Sequence, residues 1–140
     1  MIRRADLSDV PALAAMGEKL HDLSPFAHLP SDPDSLALTM SSLIERDDAA
    51  VFIGSGMLGV VTYPCIFNHG LRVAQEAFWY AEADGLALLT AAEAWAIEQG
   101  CVAFLMGALA DRRSPLMTRL YRRHGFKPVE HFFLKELPCR

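Results

Sequence analysis

One stretch constrains the fold of this chain more than any other. Val73 to Tyr80 reads as a strand ending in the bulky run Phe78-Trp79-Tyr80, and a helix follows from about Gly85 to Gln99. Gly100 is a natural helix stop, after which Cys101 to Ala108 runs as a continuous apolar strand. A strand–helix–strand unit of this kind closes as a right-handed crossover, which makes its two strands parallel. Ligands of such units sit beyond the carboxyl ends of the strands, against the N-terminus of the crossover helix. Only Thr90, Glu93 and Glu98 interrupt the apolar girth of that helix, so it is expected to be largely buried. The strand after it is expected to be buried on both faces.

The remaining elements build outward from this unit. Ile2 to Arg4 is long enough only for a short opening strand. Ser8 is the expected cap of a helix whose apolar residues Val10, Leu13, Ala14, Gly17 and Leu20 follow a 3.6-residue period. A loop with Pro25 and Pro30 leads to a second helix from about Asp32 to Arg46, with Leu36, Met40 and Leu43 on one face. Val51 to Ser55 and Leu58 to Tyr63 read as strands joined through Gly54-Ser55-Gly56. Asn68-His69-Gly70 marks a further turn. Pro115 and Gly125 bracket a last helix, and Phe126 to Leu137 is expected to form one or two final strands. The order predicts one α/β domain over residues 1–140, a mixed sheet with helices on both faces and a parallel pair within it.

Composition narrows the partners. The chain has 140 residues, 52% of them hydrophobic and 21% charged, which excludes disorder as its ground state. No apolar run approaches the roughly 20 residues that span a bilayer, and the start Met-Ile-Arg-Arg-Ala-Asp is unlike a signal peptide, so no membrane partner and a cytoplasmic location are expected. A net charge of −4 gives no electrostatic reason to expect nucleic acid. Cys65, Cys101 and Cys139 lack any Cys-x-x-Cys spacing, and the five histidines lack metal-motif spacing, so no metal is expected. Arg112, Arg113, Arg119, Arg122 and Arg123 are five of the 13 basic residues. They suit either a solvated helix face or the oxygens of a phosphate.

Several of these segments resemble the GNAT family of acyl-CoA-dependent N-acyltransferases. Ile2-Arg-Arg-Ala-Asp-Leu-Ser-Asp-Val-Pro-Ala-Leu13 is similar to that family's first strand and helix. Glu76-Ala-Phe-Trp-Tyr80 resembles its fourth strand, and Leu88-Leu-Thr-Ala-Ala-Glu-Ala-Trp-Ala96 the helix after it. Tyr121-Arg-Arg-His-Gly-Phe126 resembles its last motif. The likeness follows the family's element order over nearly the whole chain, and the Phe-Trp-Tyr and Ala-Glu-Ala-Trp-Ala pieces look most like members found in phages and prophages. It implies a GNAT-like, mostly antiparallel mixed sheet with a central parallel pair. The family carries Gln/Arg-x-x-Gly-x-Gly/Ala between that strand and helix. Here the interior of the turn, Ala81-Glu-Ala-Asp-Gly85, is shorter, has one glycine, and sets Glu82 and Asp84 beside the expected phosphate site.

What the resemblance implies about roles can be stated residue by residue. Acetyl-CoA would be the co-substrate. Backbone groups of Phe78, Trp79 and Tyr80 would pair with its pantetheine like an added strand, which requires the two parallel strands to splay. The helix start at Gly85, Leu86 and Ala87 would meet its pyrophosphate, and Arg119 and Arg122 its phosphates. Tyr121 matches the residue that commonly protonates the departing thiolate; the plainer alternative is a half-buried aromatic with its hydroxyl in water. Glu76 lies where some members carry a catalytic base, and strand alternation sets it on the side of Phe78 and Tyr80; it would equally serve as an edge-facing carboxylate. His21 and His69 are remoter candidates. Two functions therefore remain open: an N-acetyltransferase acting by direct attack of a primary amine, carried by a small molecule or a peptide, or a GNAT-like binding or assembly module with weakened CoA binding. Family members are often dimers, so a homodimer is among the expectations.

Overall fold

The computed structural model of the chain describes residues 1–111 and 113–138, so Arg112 and Cys139 lie outside the described residues. It forms two compact units, Met1–Gly107 and Ala108–Arg140. The first contains β1 (Arg3–Arg4), α1 (Val10–Leu23), α2 (Pro33–Glu45), β2 (Ala49–Ile53), β3 (Met57–Cys65), β4 (Asn68–Tyr80), α3 (Gly85–Glu98) and β5 (Cys101–Leu105). The second contains α4 (Ser114–Arg123). The five strands lie in sequence order in one sheet, antiparallel except for the parallel pair β4–β5.

The entrance to α1 is built from acids rather than from Ser8. Asp6 accepts from the Ser8 N–H at 2.8 Å, and Asp9 accepts from the Asp6 N–H at 2.8 Å. Between them runs a short 3₁₀ turn, Leu7–Asp9, which leads into the helix. Arg3 closes the motif with two bonds to Asp9, at 2.8 and 2.7 Å. The Arg3 hydrogen bond and the Asp6 N–H hold the Asp9 carboxyl at about 2. The preference for Ser8 missed this because an aspartate two residues earlier reaches the same orphan amides with full charge. For α2, Asp32 is the N-cap, as its position suggests, and accepts from the Asp34 N–H at 3.3 Å.

Each face of the sheet carries its own core. Leu13, Met40 and Leu43 from α1 and α2 pack with Ala49, Val51, Ile53 and Met57 on one side. Leu88, Ala92, Trp95 and Ala96 from α3 pack with Ala50, Phe52, Leu58, Val60 and Ala74 on the other. Alternation along β2 and β3 feeds both cores at once, which is why strand β2 is buried at all five positions.

Four expectations are corrected. Helix α3 buries one side only, with Ile97 68% exposed, because a single sheet face covers it. Strand β5 is shorter than expected and Val102 is 61% exposed, since among the described residues β5 pairs with β4 alone and forms the sheet edge. Asn68-His69-Gly70 is the start of β4, not a turn; the hairpin reverses at Ile66-Phe67. In the second unit, residues 126–138 form no strand, and Phe132 and Phe133 stand 86% and 93% exposed. Apolar β-formers make a strand only where a ladder partner accepts them. No helix among the described residues is long and apolar enough to cross a membrane.

Gly56 is required by a close approach. A Cβ there would overlap the Tyr80 carbonyl oxygen and come within 2.8 Å of the Ala81 Cα, both backbone atoms that cannot rotate away. Gly56→Ala is expected to destabilise by about 1–3 kcal/mol, the usual cost of overpacking. Urea denaturation reads this as a lower midpoint, and an unchanged midpoint would refute the contact.

Candidate active site

The parallel pair parts halfway along β4. Pairing with β5 covers Arg72 to Gln75 and stops there, although β4 continues for five residues to Tyr80. From Glu76 to Tyr80 the strand therefore keeps β3 on one side and has no ladder partner on the other among the described residues. At the parting point a side chain replaces the backbone ladder: Glu76 Oε1 accepts from the Gly107 N–H at 2.7 Å. Gly107 allows this approach, because a Cβ on it would stand 3.1 Å from the same oxygen.

A β-bulge lies within the unpaired stretch. Val60 faces Glu76, but the next β3 residue, Gly59, faces Phe78, so Ala77 is an extra residue on β4. The bulge reverses the alternation beyond it. Glu76 lies on the α3 side, opposite Val60, whereas Phe78 and Tyr80 turn to the side of α1 and α2. The expected common side for Glu76, Phe78 and Tyr80 is thereby corrected; a two-residue period carries no sign of an inserted residue. Trp79 remains with the α3-side core.

Glu76 is set apart electrostatically. Burial pushes its carboxyl up to about 7, against the opposing pull of the Gly107 N–H. A group that ionises near neutrality can take a proton and give it back under ordinary conditions.

The start of α3 lies just beyond the end of β4. Asp84 occupies the N-cap, yet its side chain makes no capping bond to the helix. Its Oδ2 instead accepts from the Ser55 N–H at 2.7 Å and the Gly56 N–H at 3.4 Å, in the β2–β3 turn. Leu88 N–H bonds to the Asp84 carbonyl, so the helix ladder begins there. The amides of Gly85, Leu86 and Ala87 come before it, and Leu86 and Ala87 are exposed. These are the orphan donors of a helix N-terminus, left without a side-chain cap.

The two acids of the turn are both engaged. Tyr80 Oη donates to Glu82 Oε1 at 2.7 Å, and Lys19 Nζ lies 3.6 Å from the same oxygen. The Tyr80 hydrogen bond, then Lys19, lower the Glu82 carboxyl below its ordinary value. Burial works to raise Asp84, but the Ser55 and Gly56 bonds outweigh it and the net shift is downward. Both carry their charge near neutral pH, each against a partner of opposite polarity.

In the second unit, Tyr121, Gly125 and Phe126 form a helix stop. Gly125 has φ +87°, the Phe126 N–H bonds to the Tyr121 carbonyl at 2.9 Å, and the Gly125 N–H to the Arg122 carbonyl at 3.2 Å. This is the Schellman arrangement, completed by its apolar contact: the Tyr121 and Phe126 rings lie 5.3 Å apart. The spacing of the Tyr-x-x-x-Gly-Phe motif thus has a structural cause of its own. Little of Tyr121 reaches solvent, unlike the half-buried alternative. Arg119, Arg122 and Arg123 are exposed on α4.

An extended ligand with phosphates fits what the first unit offers, an unpaired strand edge leading to uncapped amides. The architecture is shared widely. The chain aligns with a transcriptional regulator from Bacillus halodurans at 20% identity and TM-score 0.76, over 98% of this chain and 99% of that one. A predicted acetyltransferase with acetyl-CoA from Clostridium acetobutylicum aligns at 14% identity and TM-score 0.72, over 97% and 95%. An aminoglycoside 6'-N-acetyltransferase from Acinetobacter haemolyticus aligns at 20% identity and TM-score 0.67, over 99% of both chains. The fold is that of the GNAT acetyltransferases. No family model and no curated protein matches the sequence itself.

Within this GNAT fold the raised Glu76 carboxyl has a sign that can be tested. An unfolded carboxyl ionises near 4.5 and the folded one near 7, so the folded state holds the extra proton between these values. The stabilisation is complete below about pH 4.5 and is lost as pH rises through 7. Glu76→Gln keeps an oxygen for Gly107 and has no charge to bury. At pH 8 it is expected to be more stable than the parent by an amount on the order of 2 kcal/mol, with a flatter pH profile between 5 and 8. Parallel profiles for the two proteins in pH-stepped urea denaturation would show that Glu76 titrates normally.

Proposed function

We propose that the chain is an N-acetyltransferase that moves an acetyl group from acetyl-CoA to a primary amine of a small molecule by direct attack. The observation that carries this reading is the Glu76 carboxyl, ionising at about 7 where β4 and β5 part. When bound, acetyl-CoA supplies an activated thioester carbon. Glu76 takes the proton of the incoming amine, whose nitrogen bonds to that carbon as the carbon–sulfur bond breaks. Tyr121 gives its hydroxyl proton to the departing sulfur. No cysteine needs to carry the acetyl group between the two.

The other residues hold and orient. The free edge of Phe78, Trp79 and Tyr80 takes the pantetheine as an added strand. The amides of Gly85, Leu86 and Ala87 take the pyrophosphate, and Arg119 and Arg122 the remaining phosphate. The small-molecule acceptor is supported by the fold shared with aminoglycoside acetyltransferases. Phe26, His28, Phe67 and His69 are the side chains whose segments would shape its pocket, and the location remains the cytoplasm.

A second reading is favoured by the single-glycine turn and by the regulator that shares the fold. In it the chain is a binding module with weakened CoA affinity. Titration with acetyl-CoA separates the two. A ligand at 100 times its Kd stabilises by roughly 2.7 kcal/mol, so a clear rise in Tm is expected; no shift at millimolar acetyl-CoA removes the enzyme reading. With turnover established on an amine panel, Glu76→Gln is expected to lower kcat/KM by about 10²- to 10⁴-fold and to abolish the limb of the pH profile near 7. Tyr121→Phe is expected to lower kcat while CoA affinity holds. Unchanged turnover in either variant takes that residue out of the mechanism.

A further inference from the structure

Asp84 is the residue whose behaviour the helix alone does not explain. An aspartate at an N-cap normally accepts from the second or third helical amide, because those donors have no other partner. Here the carboxylate turns away from α3 and binds two amides 29 and 28 residues earlier in the chain, those of Ser55 and Gly56. Its second oxygen, Oδ1, is buried and has no hydrogen-bond partner among the described residues. A buried, unsatisfied carboxylate oxygen is costly, and the ordinary cap would relieve it.

The surroundings are shaped to keep this arrangement. A Cβ on Gly54 would overlap Asp84 Oδ2, so that glycine makes room for the contact, while one on Gly56 would overlap the Tyr80 carbonyl at the end of β4. The Gly54 N–H is satisfied by the Gly56 carbonyl at 3.0 Å, which leaves the Ser55 and Gly56 amides pointing at the carboxylate. The result is a strut between the turn and the N-cap of α3.

We propose that Asp84 is a positioning residue, which fixes the start of α3 against the β2–β3 turn and, by being engaged there, keeps the amides of Gly85, Leu86 and Ala87 open for the phosphates of the acyl donor. The proposal rests on the acetyltransferase reading. It assigns to Asp84 a function opposite to the repulsion its charge suggests in sequence. With its two acceptor bonds made inside the protein, the carboxylate is held off the helix axis. The short turn needs fewer glycines because the strut, rather than chain flexibility, sets its path.

The test compares donors with and without phosphates. Asp84→Ser places a hydroxyl that caps α3 itself and is too short to reach Ser55, whereas Asp84→Asn retains an oxygen for the turn. Steady-state kinetics are run on the full chain with acetyl-CoA and with S-acetylpantetheine, and circular dichroism verifies folding. Asp84→Ser is expected to raise KM for acetyl-CoA about tenfold or more, with kcat and the KM for S-acetylpantetheine within about twofold. Asp84→Asn is expected to recover most of the loss. Equal losses with both donors, or no loss with acetyl-CoA, would overturn the positioning role. Absence of acetyl-CoA binding by the parent protein would overturn the acetyltransferase reading and this role with it; a parent that binds acetyl-CoA keeps the two failures distinct.

Discussion

The bond between the Gly107 N–H and the Glu76 carboxylate sits where the architecture of the first unit changes character. Up to Gln75 the parallel strands are joined by backbone pairs, and beyond it a side chain has taken the place of the ladder. A backbone carbonyl at the same point would extend the sheet and close the edge. A carboxylate ends the pairing while still satisfying the amide, so the chain after β5 can turn away with that donor bonded. Burial of the same carboxylate raises its pKa, and the Gly107 N–H pulls it back only in part.

The bulge at Ala77 divides the work of β4. Before it the strand faces its acid toward the α3 side; after it Phe78 and Tyr80 pack, partly buried, against the core of α1 and α2, and Tyr80 Oη reaches Glu82. Without the extra residue, Glu76 would lie among the α1 and α2 side chains, or Phe78 would be expelled from them. Phe78 also lies against Gly59, where a Cβ would stand 2.6 Å from its ring. The bulge, the small residue across from it and the half-buried aromatic form one packing solution.

How far the sequence disclosed this follows from the range of each interaction. The second helix was legible to within a residue, because Asp32 caps it locally and its apolar period needs no distant partner. The crossover around α3 and the parallel pair followed from element order. What failed was what depends on a residue far away or on a vacancy in a neighbour. Nothing in Glu76-Ala-Phe-Trp-Tyr marks Ala77 as unpaired, since a bulge is a property of two strands. Asp84 and Ser55 are 29 positions apart, so the strut has no local signature. The segment 126–137 offers β-formers such as Val129, Phe132 and Phe133, but Pro128 and the charged residues among them weaken the strand signal, and a strand is not an intrinsic object. The one signal that was available and overlooked is Asp6 with Asp9, an acid pair three residues apart at a helix entrance.

Charge at the β4–α3 turn shows why a residue count misjudges a site. Read along the chain, one glycine and two acids argue against an anion, since glycines admit it and carboxylates repel it. In three dimensions each carboxylate has been given donors of its own: Tyr80 and Lys19 for Glu82, Ser55 and Gly56 for Asp84. A charge balanced at hydrogen-bonding distance projects a far weaker field than a bare one. The amides at the start of α3, by contrast, remain without a side chain to quench them. The field an approaching phosphate meets is set by which groups have already found partners: at this turn each acid is bonded through one oxygen, while the first amides of α3 carry no side-chain cap.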